Sequence, residues 1–255
     1  GIPIYRWDVL EQNDFSWWRR RIEKLTDIFH IFRIDHILGF YRIYSFPWRP
    51  RRNEEFVGLS EKQAKDITGG PLPEFFPRSD DTDKNRAANL ADGDKYLRVI
   101  QDAAGDGEVV GEDLGCVPDY VRPNMEDLGI AGFKVCHWEV RGHGETVPGS
   151  DYPECAFATY ATHDHESVPA MWNTLKGMLG GHDHDGAIRG LELLSDFGGL
   201  PKGGSADCYS DYGPVVKWAL FDRLLKSNAD YASLMITDII DSTERINIPG
   251  TVGGK

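Results

Sequence analysis

The 255 residues are 40% hydrophobic and 11% aromatic, enough apolar material for the core of one large or two ordinary domains. Acidic residues outnumber basic ones, 41 to 28, for a formal charge of −13. No basic cluster exceeds Arg19, Arg20 and Arg21 or Arg49, Arg51 and Arg52, which argues against a nucleic-acid partner. No apolar run approaches 18 residues, so no membrane partner is expected.

The opening "GIPIYRWD" has no initiator Met, basic region or apolar leader, as if the sequence started inside a longer chain. "DFSWWRRRIEKLTDIF" follows, with Asp14 as a suitable N-cap and Phe15, Trp18, Ile22, Leu25 and Phe29 at helical steps. "FHIFRID" at 29–35 then reads as a buried strand. Residues 45–92 are rich in Pro, Gly and charge and read as a long insertion over one face, a lid with short helices at most. After it come "DKYLRVIQDAA" as helix, "EVVGEDLG" at 108–115 as strand, "PDYVRPNMEDLG" as helix, and "FKVCHWE" at 133–139 and "FATYATHD" at 157–164 as strands. "HESVPAMWNTLKGML" and "VVKWALFDRLLKSN" read as helices and "SLMITDII" at 233–240 as a last strand, with Pro123 and Pro169 expected to kink or end their helices. The strands show little alternation, which suits parallel strands buried on both faces, and strand–helix–strand succession is the grammar of an α/β fold. Cys116, Cys136, Cys155 and Cys208 show no CxxC spacing and read as thiols in a reducing compartment, with a cytoplasmic location expected.

Acidic clusters fall at the strand ends. In a parallel α/β barrel these ends open on one face, where chemistry sits. Asp35 would project from the end of its strand into a shared cleft. Arg33, two residues earlier and on the same side, would orient the Asp35 carboxylate and hold it ionised. Glu112, after the apolar "EVVG", would sit in drier surroundings that keep it protonated. Asp164, in "THDH", supplies a third acid. One ionised and one protonated carboxyl flanking a bond is the arrangement for cleaving a glycosidic linkage. Each motif alone has a plainer reading: "RIDH" as a structural ion pair, "EDLG" as an ordinary loop or helix start, "THDH" as a satisfied turn or half a metal site. "GGHDHDG", with His182, Asp183, His184 and Asp185, resembles a metal cluster only in composition; its flanking glycines point to an exposed loop, and no metal is expected. The glycines of "GDGEVVGEDLG" do not make a dinucleotide fingerprint, and no cofactor is expected.

Taken in order, "RIDHxxGF", "GEDLG" and "THD", with "YRWD" ahead of the first helix and "RINIPGT" near the end, resemble the 4-α-glucanotransferase family, the amylomaltases or disproportionating enzymes of glycoside hydrolase family 77. The resemblance runs over nearly the whole chain. It implies a (β/α)8 TIM barrel of the α-amylase clan, acting on α-1,4-glucans with retention and without a metal. By motif position, Asp35 matches the nucleophile, Glu112 the general acid/base and Asp164 the transition-state stabiliser. Arg33 matches the arginine beside the nucleophile, His163 a histidine that contacts the donor sugar, His36 a second contact, and Trp138 an aromatic beside the donor. Trp138 reads equally well as a core residue. The partners implied are a maltodextrin donor and a sugar acceptor, with Trp48, Phe75 and Phe76 as acceptor platforms or lid core.

Some positions depart from the family pattern: Ile37 and Leu38 after "RIDH", Tyr44 in place of a tryptophan, and His165 in place of an asparagine. Only five strands are countable, matching the fourth to eighth of a barrel. The sequence is therefore expected to be one partial catalytic domain over 1–255, with an N-terminal half missing. A hydrolase of the same clan, an inactive glucan-binding partner, and a divalent-metal enzyme built on His163, Asp164 and His165 are the rival readings.

Overall fold

A computed structural model describes residues 4–45, 55, 58–69 and 73–248. The chain divides into two compact units, Gly1–Gly132 and Phe133–Lys255.

In the first unit, "YRWD" opens a short helix rather than preceding one: α1 runs Trp7–Gln12 and α2 Ser16–Thr26. Asp14 does not cap α2. Asp14 and Phe15 are both left-handed (φ 55 and 52), and the helix starts one residue later, at Ser16. Trp18 and Ile22 are buried as their spacing predicts, whereas Phe29 is exposed beyond the helix end. Strand β1 (Ile31–Ile34) follows, then a 3-10 turn at Ile37–Phe40 and β2 (Ile43–Ser45).

Helix α3 (Glu61–Thr68) is capped at both ends, by a Ser60–Gln63 capping box and by left-handed Gly69. Strand β3 (Glu74–Phe76) pairs antiparallel with β2. The expected irregular stretch ends sooner than its composition suggests, because α4 runs the 22 residues Asp83–Ala104 from a Thr82 cap. Its polar start is satisfied internally. Asn89, fully buried, donates to Asp80 Oδ1 at 2.9 Å and accepts from Arg78 at 3.0 Å, while Tyr120 donates to Asp80 at 3.0 Å and Arg42 pairs with its other oxygen. Burial alone would raise the Asp80 pKa; the bonds from Asn89, Arg42 and Tyr120 outweigh it and hold the carboxyl below its usual range.

Strand β4 (Glu108–Gly111) lies parallel to β1, with Ile31 opposite Glu108 and Ile34 opposite Gly111. Helix α5 (Val121–Asp127) follows, and β5 (Ala131–Val135) starts parallel to β4, Gly111 facing Gly132. β4 is buried on both faces beyond its first residue, as a central parallel strand should be; β1 and β5 alternate. Pro123 interrupts nothing, because it lies in the first turn of α5, where no intrahelical N–H is required. An aromatic box closes this core. Trp7 stacks on Tyr96 at 4.1 Å and 10°, and Trp18 packs against Phe40 at 5.4 Å.

In the second unit the Cys136 N–H donates to Thr159 O at 3.0 Å, and β6 (Ala156–Thr159) pairs parallel with β7 (Tyr231–Ser233). Between them come α6 (Val168–Met178), α7 (His184–Gly198) and α8 (Pro214–Leu225). Pro169 again falls in a first turn, behind the Ser167 cap. The "SLMITDII" expectation needs correcting: the strand lies earlier, at Tyr231–Ser233, and α9 (Ile236–Ile239) is a short helix. Buried Asp238 decides this. One of its oxygens accepts from Val168 N at 2.7 Å and the other from Met235 N at 3.1 Å, which closes a helical turn instead of extending the strand. "GGHDHDG" is likewise a helix start rather than a loop, with His184 and Asp185 in the first turn of α7 and His184 Nδ1 donating to Leu179 O at 2.6 Å. None of the four cysteines is in a disulfide, and no described helix is long and apolar enough to cross a membrane.

Gly93 of α4 shows how tightly the first core is packed. A Cβ there would lie 2.1 Å from the Tyr41 ring, whose hydroxyl is fixed by a 2.8 Å bond to Asn124 Oδ1. Gly93→Ala should therefore destabilise the fold, overpacking of about 1–3 kcal/mol exceeding a helix-propensity gain of about 1 kcal/mol. Urea unfolding gives the balance; an unchanged or raised midpoint would contradict this packing.

Candidate active site

Because Ile34 faces Gly111, the next residue on each strand, Asp35 and Glu112, leaves the sheet beside the other. The backbone continues the pairing: Glu112 N donates to Ile34 O at 2.9 Å and Ile37 N to Glu112 O at 3.0 Å. Arg33 Nη2 lies 2.5 Å from Asp35 Oδ1 and 3.1 Å from Glu112 Oε2, so one guanidinium nitrogen bridges both carboxyl groups. The two oxygens cannot be further apart than the sum of those lengths. The Asp35 side chain is 72% exposed and that of Glu112 20%. The surroundings expected for Glu112 need correcting. A cation and an N–H donor face this carboxyl, the latter from His36 at 2.8 Å, rather than an apolar wall. His36 itself is left-handed, φ 46 and ψ 57, a conformation uncommon for a residue with a Cβ.

Next to Glu112, Asp113 is buried and accepts from Arg122 Nε at 2.7 Å. This pair anchors the turn that carries Glu112, and composition did not reveal it. A cavity of about 290 Å³ in the same unit is lined by Arg33, Asp35 and His36 together with Trp7, Trp18, Phe40 and Phe76. Phe76 is 39% exposed, while Phe75 packs edge-on against Tyr44 at 5.2 Å and beneath Arg42 at 4.0 Å. Trp48 lies outside the described residues.

The second unit gathers a different set. Thr162 Oγ1 lies 2.8 Å from His165 Nδ1, and Asp164 N donates back to Thr162 Oγ1 at 3.4 Å. His163 Nε2 lies 3.4 Å from Asp164 Oδ1. Asn247 donates to that same oxygen and Arg245 to the Asp164 carbonyl. The "RIN" of the tail thus returns to the "THD" turn. Nothing in the sequence joins the two motifs, which stand 81 positions apart from Asp164 to Arg245. Trp138, 47% exposed, packs edge-on against His165 at 5.1 Å and 72°, so it is not the core residue of its alternative reading. Among the described residues, no three His, Cys, Asp or Glu are grouped to hold a metal ion.

Two solved structures share this fold. The amylomaltase from Streptococcus agalactiae in complex with acarbose superposes with a TM-score of 0.64 at 19% identity, over 98% of this chain and 41% of that one. The amylomaltase from Corynebacterium glutamicum gives 0.66 at 17% identity, over 95% and 33%. The architecture is that of a partial parallel (β/α)8 barrel, with acids at strand ends. The family model described as 4-alpha-glucanotransferase, glycoside hydrolase family 77, matches residues 1–255, and the chain belongs to that family. The 4-alpha-glucanotransferase of Thermus thermophilus is 27% identical over 263 residues, 100% of this chain and 43% of that protein. That of Chlamydia trachomatis serovar D is 23% identical over 98% of this chain and 41% of its own length. The chain thus spans less than half the length of these relatives.

Beside this second cluster, His137 is buried, its Nδ1 without a hydrogen-bond partner among the described residues. Burial, helped by the charge of His165, pushes its pKa down from 6.5 to about 4. The folded protein therefore keeps this ring neutral, while the unfolded chain takes up its proton near pH 6.5. The associated stability is fully present above about 6.5 and lost as pH falls toward 4, a total of about 3 kcal/mol at roughly 1.4 kcal/mol per pH unit. Unfolding free energies measured across that window should fall more steeply for the native sequence than for His137→Gln. Parallel slopes would remove His137 as the cause.

Proposed function

We propose that the protein is a retaining 4-α-glucanotransferase acting on α-1,4-glucans such as maltodextrins. The observation that carries the reading is the pair Asp35 and Glu112, side by side at the ends of two paired parallel strands and bridged by Arg33. Carboxyl groups about 5–5.5 Å apart suit double displacement, whereas inverting enzymes keep them about 6.5–9.5 Å apart to admit water between. Their bridging through a single nitrogen favours the closer class.

In this reading Asp35 attacks the anomeric carbon of the donor and the glycosidic C–O bond breaks. Glu112 gives its proton to the departing oxygen, leaving a glycosyl ester on Asp35. An acceptor 4-hydroxyl then passes its proton to Glu112 and attacks the same carbon. The ester bond breaks, Asp35 returns as a carboxylate, and two inversions yield net retention. Asp164 takes the role of the acid that grips sugar hydroxyls and stabilises the transition state, supported by its motif and by Asn247 and Arg245 fixing its turn. Arg33 orients Asp35. His163, His36 and Trp138 are assigned to sugar contacts, and the exposed face of Trp138 suits stacking on a pyranose. Phe76, beside Asp35 in the lined cavity, is assigned to the acceptor side, with 45–92 as the region that shapes it. No cofactor or metal enters this chemistry. The partial coverage of the relatives fits a protein whose other barrel strands lie in an N-terminal region outside the matched span. The absence of disulfides suits the cytoplasm as its location.

Maltotriose is the substrate for the test. Purified protein should yield glucose plus a ladder of longer maltodextrins on chromatography. Asp35→Asn should abolish both, and Glu112→Gln should lower the rate by roughly 10²–10⁴-fold. Glucose and maltose without longer products would mean hydrolysis. Maltodextrin binding with no turnover would mean a glucan-binding protein.

A further inference from the structure

His36 is assigned above through its imidazole, yet its sharpest contact is made by its backbone. Its N–H donates to Glu112 Oε2 at 2.8 Å, the oxygen that also lies 3.1 Å from Arg33 Nη2. Nothing in a "RIDH" motif read as side chains accounts for this bond. Its origin is conformational. An extended residue after Asp35 would continue the line of β1, whereas left-handed His36 (φ 46, ψ 57) turns the chain directly into the 3-10 turn at Ile37. That turn is held on its far side by Ile37 N donating to the Glu112 carbonyl at 3.0 Å, and beneath by Glu112 N donating to Ile34 O at 2.9 Å. Successive N–H groups of residues 36 and 37 therefore grip the side-chain oxygen and the carbonyl of the same glutamate. The imidazole contributes to none of these three bonds.

We propose that the backbone N–H of His36, presented by its left-handed conformation, is the positioning group for the Glu112 carboxyl. On this view residue 36 has two separable duties: an imidazole that meets sugar, and a backbone geometry that aims the acid/base. The second rests on the reaction proposed above for its consequence in catalysis, but not for its existence. Residues that stand in the left-handed region without strain, Gly and Asn, can perform the backbone duty; a β-branched residue cannot.

Two measurements test this. The first needs no turnover: in an amide-resolved NMR spectrum, Glu112→Ala should shift the His36 N–H proton upfield, because the acceptor of its 2.8 Å bond is removed. An unmoved His36 amide would overturn the proposal whatever the enzyme does. The second is kinetic, on maltotriose, comparing His36→Gly, His36→Asn and His36→Val. In Gly and Asn the loss should fall mainly on KM, from the missing imidazole. In Val it should fall on kcat as well, by tenfold or more beyond the Gly variant. Equal kcat for Val and Gly, in proteins with matching circular dichroism, would show that only the side chain matters. A wild-type protein that turns over no glucan but shows the amide shift would retire the proposed reaction and leave the positioning geometry standing.

Discussion

Ile34 stands opposite Gly111, and much of the first unit follows from that register. Parallel strands send their next residues out on the same edge of the sheet, so Asp35 and Glu112 emerge together although His36, the residue after Asp35, stands 76 positions before Glu112. A slip of one residue would turn every side chain on β1 to the opposite face. Phe32 and Ile34 would lose their burial and Arg33 could no longer reach both acids. Hydrophobic burial thus sets the register, and the register sets the site.

The close approach around Gly111 belongs to the same constraint. Where a Cβ would stand, the ends of Ile37, Met125 and Ile130 already lie within 2.5 to 3.2 Å. Ile37 is therefore seated directly over β4, and the turn carrying His36 is brought down onto Glu112. The departure from the family pattern at Ile37 and Leu38 has a local physical sense here, since both residues are buried and serve the core rather than sugar. Arg122 bound to buried Asp113 anchors the turn that carries Glu112.

The second unit solves a related problem with polar contacts. Its "THD" turn, with Thr162 buried and His163 exposed, is held by side chains from the tail. Asp238 ties α9 to the start of α6, and Ser167 both caps α6 and donates to Ser242 O at 2.7 Å, which brings the tail within reach of Asp164. His165, where the family commonly has asparagine, uses its ring for two purposes, a bond to Thr162 and an edge against Trp138.

Elements whose cause is local were legible in the chain alone. Apolar runs placed four of the five parallel strands, helical spacing placed Trp18 and Ile22 inside, and the order of three acidic motifs identified the family. Elements were misplaced wherever a distant partner outweighed local composition. Residues 83–92 looked like lid but begin a long helix because Asp80, Arg78 and Asp119 satisfy the polar groups of Asn89, Asp92 and Arg86; "ITDI" looked like strand but turns because Asp238 finds two N–H donors. α7 was unread, its apolar face hidden behind a histidine-rich start. In the candidate site, the placing of Asp35 and Glu112 at strand ends, with Arg33 beside Asp35, was legible, since residue type and period-two spacing are properties of the chain. The sharing of one nitrogen by two acids, the left-handed His36 and the return of Asn247 to Asp164 were not. Each is a contact between residues remote in sequence, or a backbone torsion selected by such a contact, and only the packed chain specifies these.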